Sequence, residues 1–478
     1  VDHGSVNVAL PTIASHFQTD LPTIQWVVII YALTIAALLL PMGRLSDLVG
    51  RKKIYIFGIM VLAIGAALSG LSTSLEMLFP SRILQGVGAA MTQGTGMAIV
   101  TSVFPANEKG RAIGMFMTMV GVGAIAGPAI GGMAVDLFDW RIVFFLTLPL
   151  NIIGAVATIW VMRGWTPVQE ARRDKFDWLG AALSTGVLVA LLLAMTTGNK
   201  AGWTSLPIMA AFGGAIGMLG TFIWWELRAD APMLDLRLFK GRTFSLGVSA
   251  AFLTFLGSSA VLFMMPFYLQ NVLGYSAKAA GFVVVPGAIC MAIMGTVSGV
   301  LSDRFGWRPF TVGGLASSAT GLLILSFVKE DSSIWMVVPA MMLMNTGMGT
   351  FYSPNSSSVM NAVGMAKYGV VSGFLNLIRN AANVTSIAFA TIIVTATMAS
   401  MGHEPNLEAV RGGAEGVGHA FTVGLRYAFL TMMGIVLLSM VLSALQPNQV
   451  VKPDAEPDES LDEAPREDIE LTEQESEV

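Results

Sequence analysis

Apolar residues in this chain are gathered into blocks of about twenty, the length at which an α-helix crosses about 30 Å of hydrocarbon. A chain patterned this way must place most of its side chains in lipid or against other helices. Of its 478 residues, 54% are hydrophobic and 12% charged, where a soluble domain carries roughly 25% charge. No alternating strand pattern bounded by turn residues is present, so the blocks predict an all-α polytopic membrane protein. The single cysteine, Cys290, excludes an intrachain disulfide and a cysteine-based metal site.

The first block, Val1 to Phe17, is short and lacks a basic flank, so it reads as a helix without its cytoplasmic half and not as a signal peptide. Thirteen further spans are expected. Seven are Ile24 to Met42, Ile54 to Leu71, Leu78 to Val103, Ile113 to Val135, Ile142 to Met162, Trp178 to Thr196 and Leu206 to Trp225. The remaining six are Phe244 to Leu269, Ala279 to Leu301, Phe310 to Val328, Ile334 to Met360, Val370 to Met398 and Ala420 to Leu445. Organisation follows: a six-helix bundle over 1–163, two inserted spans with linkers over 164–243, a second six-helix bundle over 244–446, and a tail over 447–478.

Lys and Arg accumulate in cytoplasmic loops. Alternate loops hold Arg44, Arg51, Lys52, Lys53, Lys109, Arg111, Arg163, Arg172, Arg173, Lys175, Arg228, Arg237, Lys240, Arg242, Arg304, Arg308 and Lys367. The opposite loops hold Arg141, Lys200, Lys278, Lys329 and Arg411. Seventeen against five puts the first set, and both termini, on the cytoplasmic side of the cell inner membrane. The tail has twelve Asp and Glu against Lys452 and Arg466, which predicts disorder. The formal net charge of −4 is therefore a tail of −10 on a membrane body of +6.

Gly43-Arg-Leu-Ser-Asp47-Leu-Val-Gly50-Arg51-Lys52 recurs as Gly299-Val-Leu-Ser-Asp303-Arg304-Phe-Gly306-Trp-Arg308, each copy between two spans. Repeated halves mark secondary transporters, whose substrate site lies between the repeats near the bilayer midplane.

At these residues the chain resembles the major facilitator superfamily, in its fourteen-helix drug:proton antiporter branch. Gly43 to Lys53 resembles the family's signature loop, Val1 to Pro11 (VDHGSVNVALP) the branch's first-helix motif, and Arg82 in SRILQGVGAA the fourth-helix motif. Gly123, Gly127, Pro128, Gly131 and Gly132 are similar to the fifth-helix motif of exporters. Asp139-Trp140-Arg141 with Phe144, Pro266 to Gly281, and Leu375-Asn376 with Arg379-Asn380 also look like this branch. Two positions depart from it: Gly4 stands where Thr is usual, and Thr147-Leu148-Pro149 where Asn-Val-Pro is usual. The resemblance implies a multidrug exporter that exchanges its substrate for protons.

An ionisable side chain inside a span is costly and marks function by default. Asp2 is expected to carry the proton by alternating between carboxylate and acid. Arg82 cannot lose its proton, so it partners an acid or lines the cavity. Arg379 either snorkels or faces that cavity. In the signature loop, Gly43 and Gly50 allow tight turns, and the resemblance implies that Asp47 with Arg51 and Lys52, and Asp303 with Arg304, form a contact favouring one access state. Gly123, Gly127 and Gly131 offer a stripe along which another helix can approach, with Pro128 adding a kink. Trp26, Tyr31, Gln93, Phe267, Tyr268, Asn345, Asn376 and Arg379 are candidates for the substrate cavity, as aromatic faces and amides suited to amphipathic molecules.

Gly86 and Gly88 belong to no phosphate-loop pattern, and His3, His16, His403 and His419 have no metal-ligand spacing. No cofactor or metal is expected, and no nucleic acid. The expected partners are a small-molecule substrate, protons and the bilayer, with the chain working as a monomer; whether a periplasmic adaptor joins it leaves no motif. Alternatives are an exporter or importer of one metabolite, a transporter-like receptor, and an intramembrane enzyme. The last would need paired acids or a Ser with a base inside the spans.

Overall fold

A computed structural model of the chain describes residues 2–103, 123, 126–161, 163, 177–202, 205–229, 236–363, 368–403 and 416–447. The expected spans fall on helices wherever they are described; of the segment Ile113 to Val135 only residues 123 and 126–135 are among the described residues, and these are helical. Lys109, Arg111, Arg172, Arg173, Lys175, Lys367, Arg411 and the tail after Pro447 lie outside the described residues, as do the side chains of His3, Asp47, Lys200 and Asp303. Ten helices among the described residues are long and apolar enough to cross a membrane.

The first half comprises α1 (Asp2–His16), the short α2 (Leu21–Ile24), α3 (Trp26–Val49), α4 (Arg51–Gly70), α5 (Leu75–Val103), α6 (126–137), α7 (Ile142–Phe145) and α8 (Thr147–Val161). Lipid tails are as apolar as leucine, so these helices associate through close packing, which small residues permit. A methyl on Gly65 of α4 would sit 2.5 Å from the Gln85 nitrogen of α5, and one on Gly86 of α5 would sit 2.7 Å from Thr34 Cβ of α3. Gly88 meets the Leu62 backbone in the same manner. Those two glycines, which form no nucleotide loop, let α5 lie between α3 and α4.

The inserted helices α9 (Trp178–Ala201) and α10 (Leu206–Glu226) pack on each other. Asp177 caps α9 by accepting from Gly180 N at 2.8 Å, and its Oδ1 also accepts from Trp225 Nε1 of α10 at 2.8 Å. A 3₁₀ turn (Leu236–Lys240) leads into the second half: α11 (Arg242–Phe267), α12 (Ala277–Phe305), α13 (Arg308–Leu325), α14 (Ile334–Asn361), α15 (Tyr368–Ser400) and α16 (Val417–Ala444). The end of α11 widens into a π turn over Tyr268–Val272.

The sequence repeat is also a structural repeat. Ser46 Oγ donates to Gly43 O at 2.6 Å, and Ser302 Oγ donates to Gly299 O at 2.7 Å. Gly50 and Gly306 then end their helices at φ values of 111° and 79°, a region that favours glycine. The same turn thus joins α3 to α4 and α12 to α13.

The halves meet along α3 and α15, where Tyr31, Ile35 and Leu39 share a buried cluster with Val371, Phe374 and Leu377. Helix α9 lies against both helices of that seam, and Thr185 Oγ1 donates to Ala37 O of α3 at 2.9 Å. Across the rest of the interface, α1 packs on α11 and α12.

Candidate functional site

Arg82 is fully buried, one helical turn from Gln85 on the face of α5 that meets α1 and α3. Its Nη1 lies 3.3 Å from Asp2 Oδ2 of α1 and donates to Gln85 Oε1 at 2.6 Å. Its Nε donates to Val27 O of α3 at 2.9 Å, and Gln85 Nε2 donates to Asp2 Oδ1 at 3.0 Å. Both carboxylate oxygens of Asp2 therefore have a donor, while the acid keeps a 15% exposed side chain. The guanidinium carbon lies 4.2 Å from the centroid of the Tyr31 ring and 5.6 Å from that of Phe144. Such cation–π contacts reach about 2 kcal/mol when desolvated. Arg82 Nη2 has no hydrogen-bond partner among the described residues. The arrangement holds a permanent positive charge next to a partly buried acid.

Helix α6 stands between the halves and uses its small residues on two faces. Toward α1, Ser5 Oγ donates to Gly127 O at 2.8 Å, and a methyl on Gly131 would sit 2.5 Å from Ser5 Cα. A methyl on Gly4 would likewise meet Pro128 Cδ at 2.7 Å. Gly4, one of the two departures from the family pattern, thereby makes room for the proline ring. Toward α12, a methyl on Gly132 would sit 2.5 Å from Ala277 O, and Gly281 abuts Pro128 O. Near the same end of the bundle, Gln270 of the π turn donates from Nε2 to Val8 O of α1 at 2.8 Å. These contacts join the two halves at the end opposite Gly50.

Trp140 and Arg141 brace that end. Asp139 accepts from the Trp140 nitrogen and from Arg141 Nη1, each at 2.7 Å, and Arg141 Nη2 donates to Ser72 O at 3.3 Å. Trp140 is buried against His16, Phe17 and Phe144.

Two cavities lie in and beside the second half. One, of about 480 Å³, is lined by Phe239, Val248, Ser249, Phe252, Leu253, Phe374 and Ile378, and its size suits a drug-sized molecule. The other, of about 50 Å³, is lined by Asn7, Ser259, Leu262, Phe263, Asn383 and Ile387. None of the eight residues expected to line a substrate cavity borders either one. Phe267 and Tyr268 are fully buried, and Tyr268 Oη donates to Lys329 O at 2.7 Å. Tyr31 lies under Arg82. Trp26 packs on the core around α1, Asn345 Nδ2 donates to Met341 O of its own helix at 2.9 Å, and Asn376 O accepts from Asn380. Gln93 and Arg379 are half-buried, the latter about three turns into α15.

Asn7, Ser259 and Asn383, missed in the sequence, are neutral, so the cost of burying charge did not single them out. Arg426 of α16, also passed over, is exposed, with its guanidinium carbon 5.7 Å from the Phe327 ring centroid. In the signature loop Arg51 and Lys52 are half-buried and Arg304 is exposed. Among the described residues no group of three His, Cys, Asp or Glu side chains could hold a metal ion.

The family model described as the Major Facilitator Superfamily matches residues 1–387. The chain belongs to that superfamily. It is 34% identical over 392 residues to the riboflavin transporter RibZ of Clostridioides difficile, covering 81% of this chain and 84% of that one. It is 33% identical over 408 residues to the multidrug resistance protein Stp of Mycobacterium tuberculosis, covering 84% and 74%. Among solved structures, a bacterial homologue of the human lysosomal transporter Spinster, inward-facing and unoccupied, matches with a TM-score of 0.61 at 17% identity. That alignment covers 93% of both chains and supports the fold alone. As a member of the Major Facilitator Superfamily, the protein is a multi-pass membrane transporter of small molecules and not an enzyme.

Proposed function

We propose that this transporter is a proton-coupled exporter of hydrophobic and amphipathic small molecules, a multidrug efflux antiporter working by alternating access in the cell inner membrane. The observation that carries the reading is the buried node of Asp2, Arg82 and Gln85. Protonation of Asp2 cancels its charge, and Arg82, which stays cationic, loses its counter-ion. The energy of the α1–α5 contact then depends on proton occupancy, which is what coupling to a gradient requires. A mainly apolar cavity of about 480 Å³ suits the substrate class, and the relative Stp is named a multidrug resistance protein.

Positive loop charge supports a cytoplasmic Gly50 end and cytoplasmic termini. In this arrangement the α6–α12 packing is the external gate, and the signature loops act as the cytoplasmic one. The reading divides the chain at 1–163, 164–243 and 244–446, with one chain as the working unit, and the matching turns at Gly50 and Gly306 support two related halves.

The name of RibZ favours a second reading, a transporter dedicated to one metabolite such as riboflavin. Both readings are tested in proteoliposomes by following a fluorescent dye and riboflavin under an imposed pH gradient. The proposal expects gradient-driven dye flux that Asp2→Asn abolishes. Full flux in Asp2→Asn, or dye flux indifferent to the gradient, refutes proton coupling through this acid; riboflavin flux without dye flux selects the second reading.

A further inference from the structure

Asn7 sits in the middle of α1 with only 3% of its surface exposed, and its Oδ1 meets no hydrogen-bond donor among the described residues. It faces the cavity of about 50 Å³ whose opposite walls are Ser259, Leu262 and Phe263 of α11 and Asn383 and Ile387 of α15. Across it, Ser259 Oγ donates to Asn383 Oδ1. This hydrogen bond occupies the carboxamide oxygen of the half-buried Asn383, so the donor end of that group is its Nδ2. Buried polar groups are normally satisfied, and the Asn7 acceptor left open at a cavity awaits a donor, with the Asn383 carboxamide on the facing wall.

We propose that Asn7, Ser259 and Asn383 form a recognition subsite for an uncharged amide- or imide-type edge of the transported molecule. A substrate N–H donates to Asn7 Oδ1, and an adjacent substrate carbonyl accepts from the Asn383 amide. Phe263, Leu262 and Ile387 supply apolar contact for the ring that carries the edge. No ionisable side chain lines the cavity, so a cationic centre gains nothing there. The volume admits one polar edge and not a whole drug, so the rest of the molecule lies outside it. One wall comes from the first half and two from the second, which makes the subsite complete only while α1 is packed against the second half. This inference rests on the transport reading only in that the substrate reaches the seam between the halves.

The test is a fluorescence titration of the detergent-purified full chain with riboflavin and with 3-methylriboflavin, which differ only at the imide N–H. Sites that hydrogen-bond a ligand N–H discriminate strongly against analogues lacking it. The expected result is riboflavin binding roughly tenfold or more tighter than the methylated flavin. That preference falls below about twofold in Asn7→Leu and in Asn383→Leu. Should one variant fail to fold, as read by gel filtration and thermal unfolding, the other carries the comparison; Ser259→Ala, a smaller change that frees the Asn383 carboxamide to rotate, weakens the preference in part. Equal affinity of the unaltered protein for both flavins, absence of riboflavin binding, or a preference that survives in the folded variants overturns the proposal. Binding here needs neither membrane nor gradient. Failure of pH-driven flux with the preference intact therefore rejects proton coupling and leaves the subsite standing.

Discussion

Arg82 serves Asp2, Gln85 and the Val27 carbonyl at once, and only a guanidinium has donors arranged for all three. Arg82→Ala leaves Asp2 without its counter-ion and is expected to cost about 3–5 kcal/mol, the range for removing one member of a buried pair. Thermal unfolding in detergent measures it. Arg82→Lys keeps the charge but cannot replace the fork, so it is expected to unfold between the parent and the alanine variant. Equal unfolding temperatures for the parent and Arg82→Lys would show that charge alone matters. Both members of the pair were visible in the sequence because an ionisable residue inside an apolar block is conspicuous. Gln85 was not, since a neutral amide in a helix gives no sign of the direction it faces.

At the scale of the helix, small residues decide how closely α6 approaches its neighbours. Gly281→Ala places a methyl against Pro128 O and should push α12 away from α6, with loss of transport in a chain that still inserts and folds. Flux and surface expression measured together separate those outcomes. Gly4→Thr, which installs the residue usual in the branch, is expected to clash with the Pro128 ring and lower the unfolding temperature. A concurrent Pro128→Ala should restore much of that loss, and a double-mutant cycle without coupling would show that the two residues do not share the space. The four-residue spacing of Gly123, Gly127 and Gly131 made a packing stripe legible. It did not reveal that Gly131 and Gly132 serve different partners, because adjacent helical positions diverge by about 100° and the sequence does not say what occupies either side.

Across the whole molecule, hydrophobic blocks and the repeated loop made the helix order legible, because lipid admits few other solutions for a spanning backbone. The seam was harder to read, since α3, α9 and α15 are apolar on faces that meet lipid as well as on faces that meet protein. Orientation is testable directly. In a Cys290→Ala background, Lys53→Cys lies at the Gly50 end and Asp331→Cys at the other, both exposed. A membrane-impermeant maleimide applied to intact cells should label only Asp331→Cys, and labelling of Lys53→Cys instead would invert the assignment.

The placement of α9 against both α3 and α15 also bears on how the molecule is made. During synthesis α9 enters the bilayer with α3 already present and α15 not yet translated. Its second contact face must wait in lipid until the eleventh span of the two bundles arrives. The seam is therefore completed late in biogenesis, and a chain arrested before α15 would carry an inserted but half-docked α9.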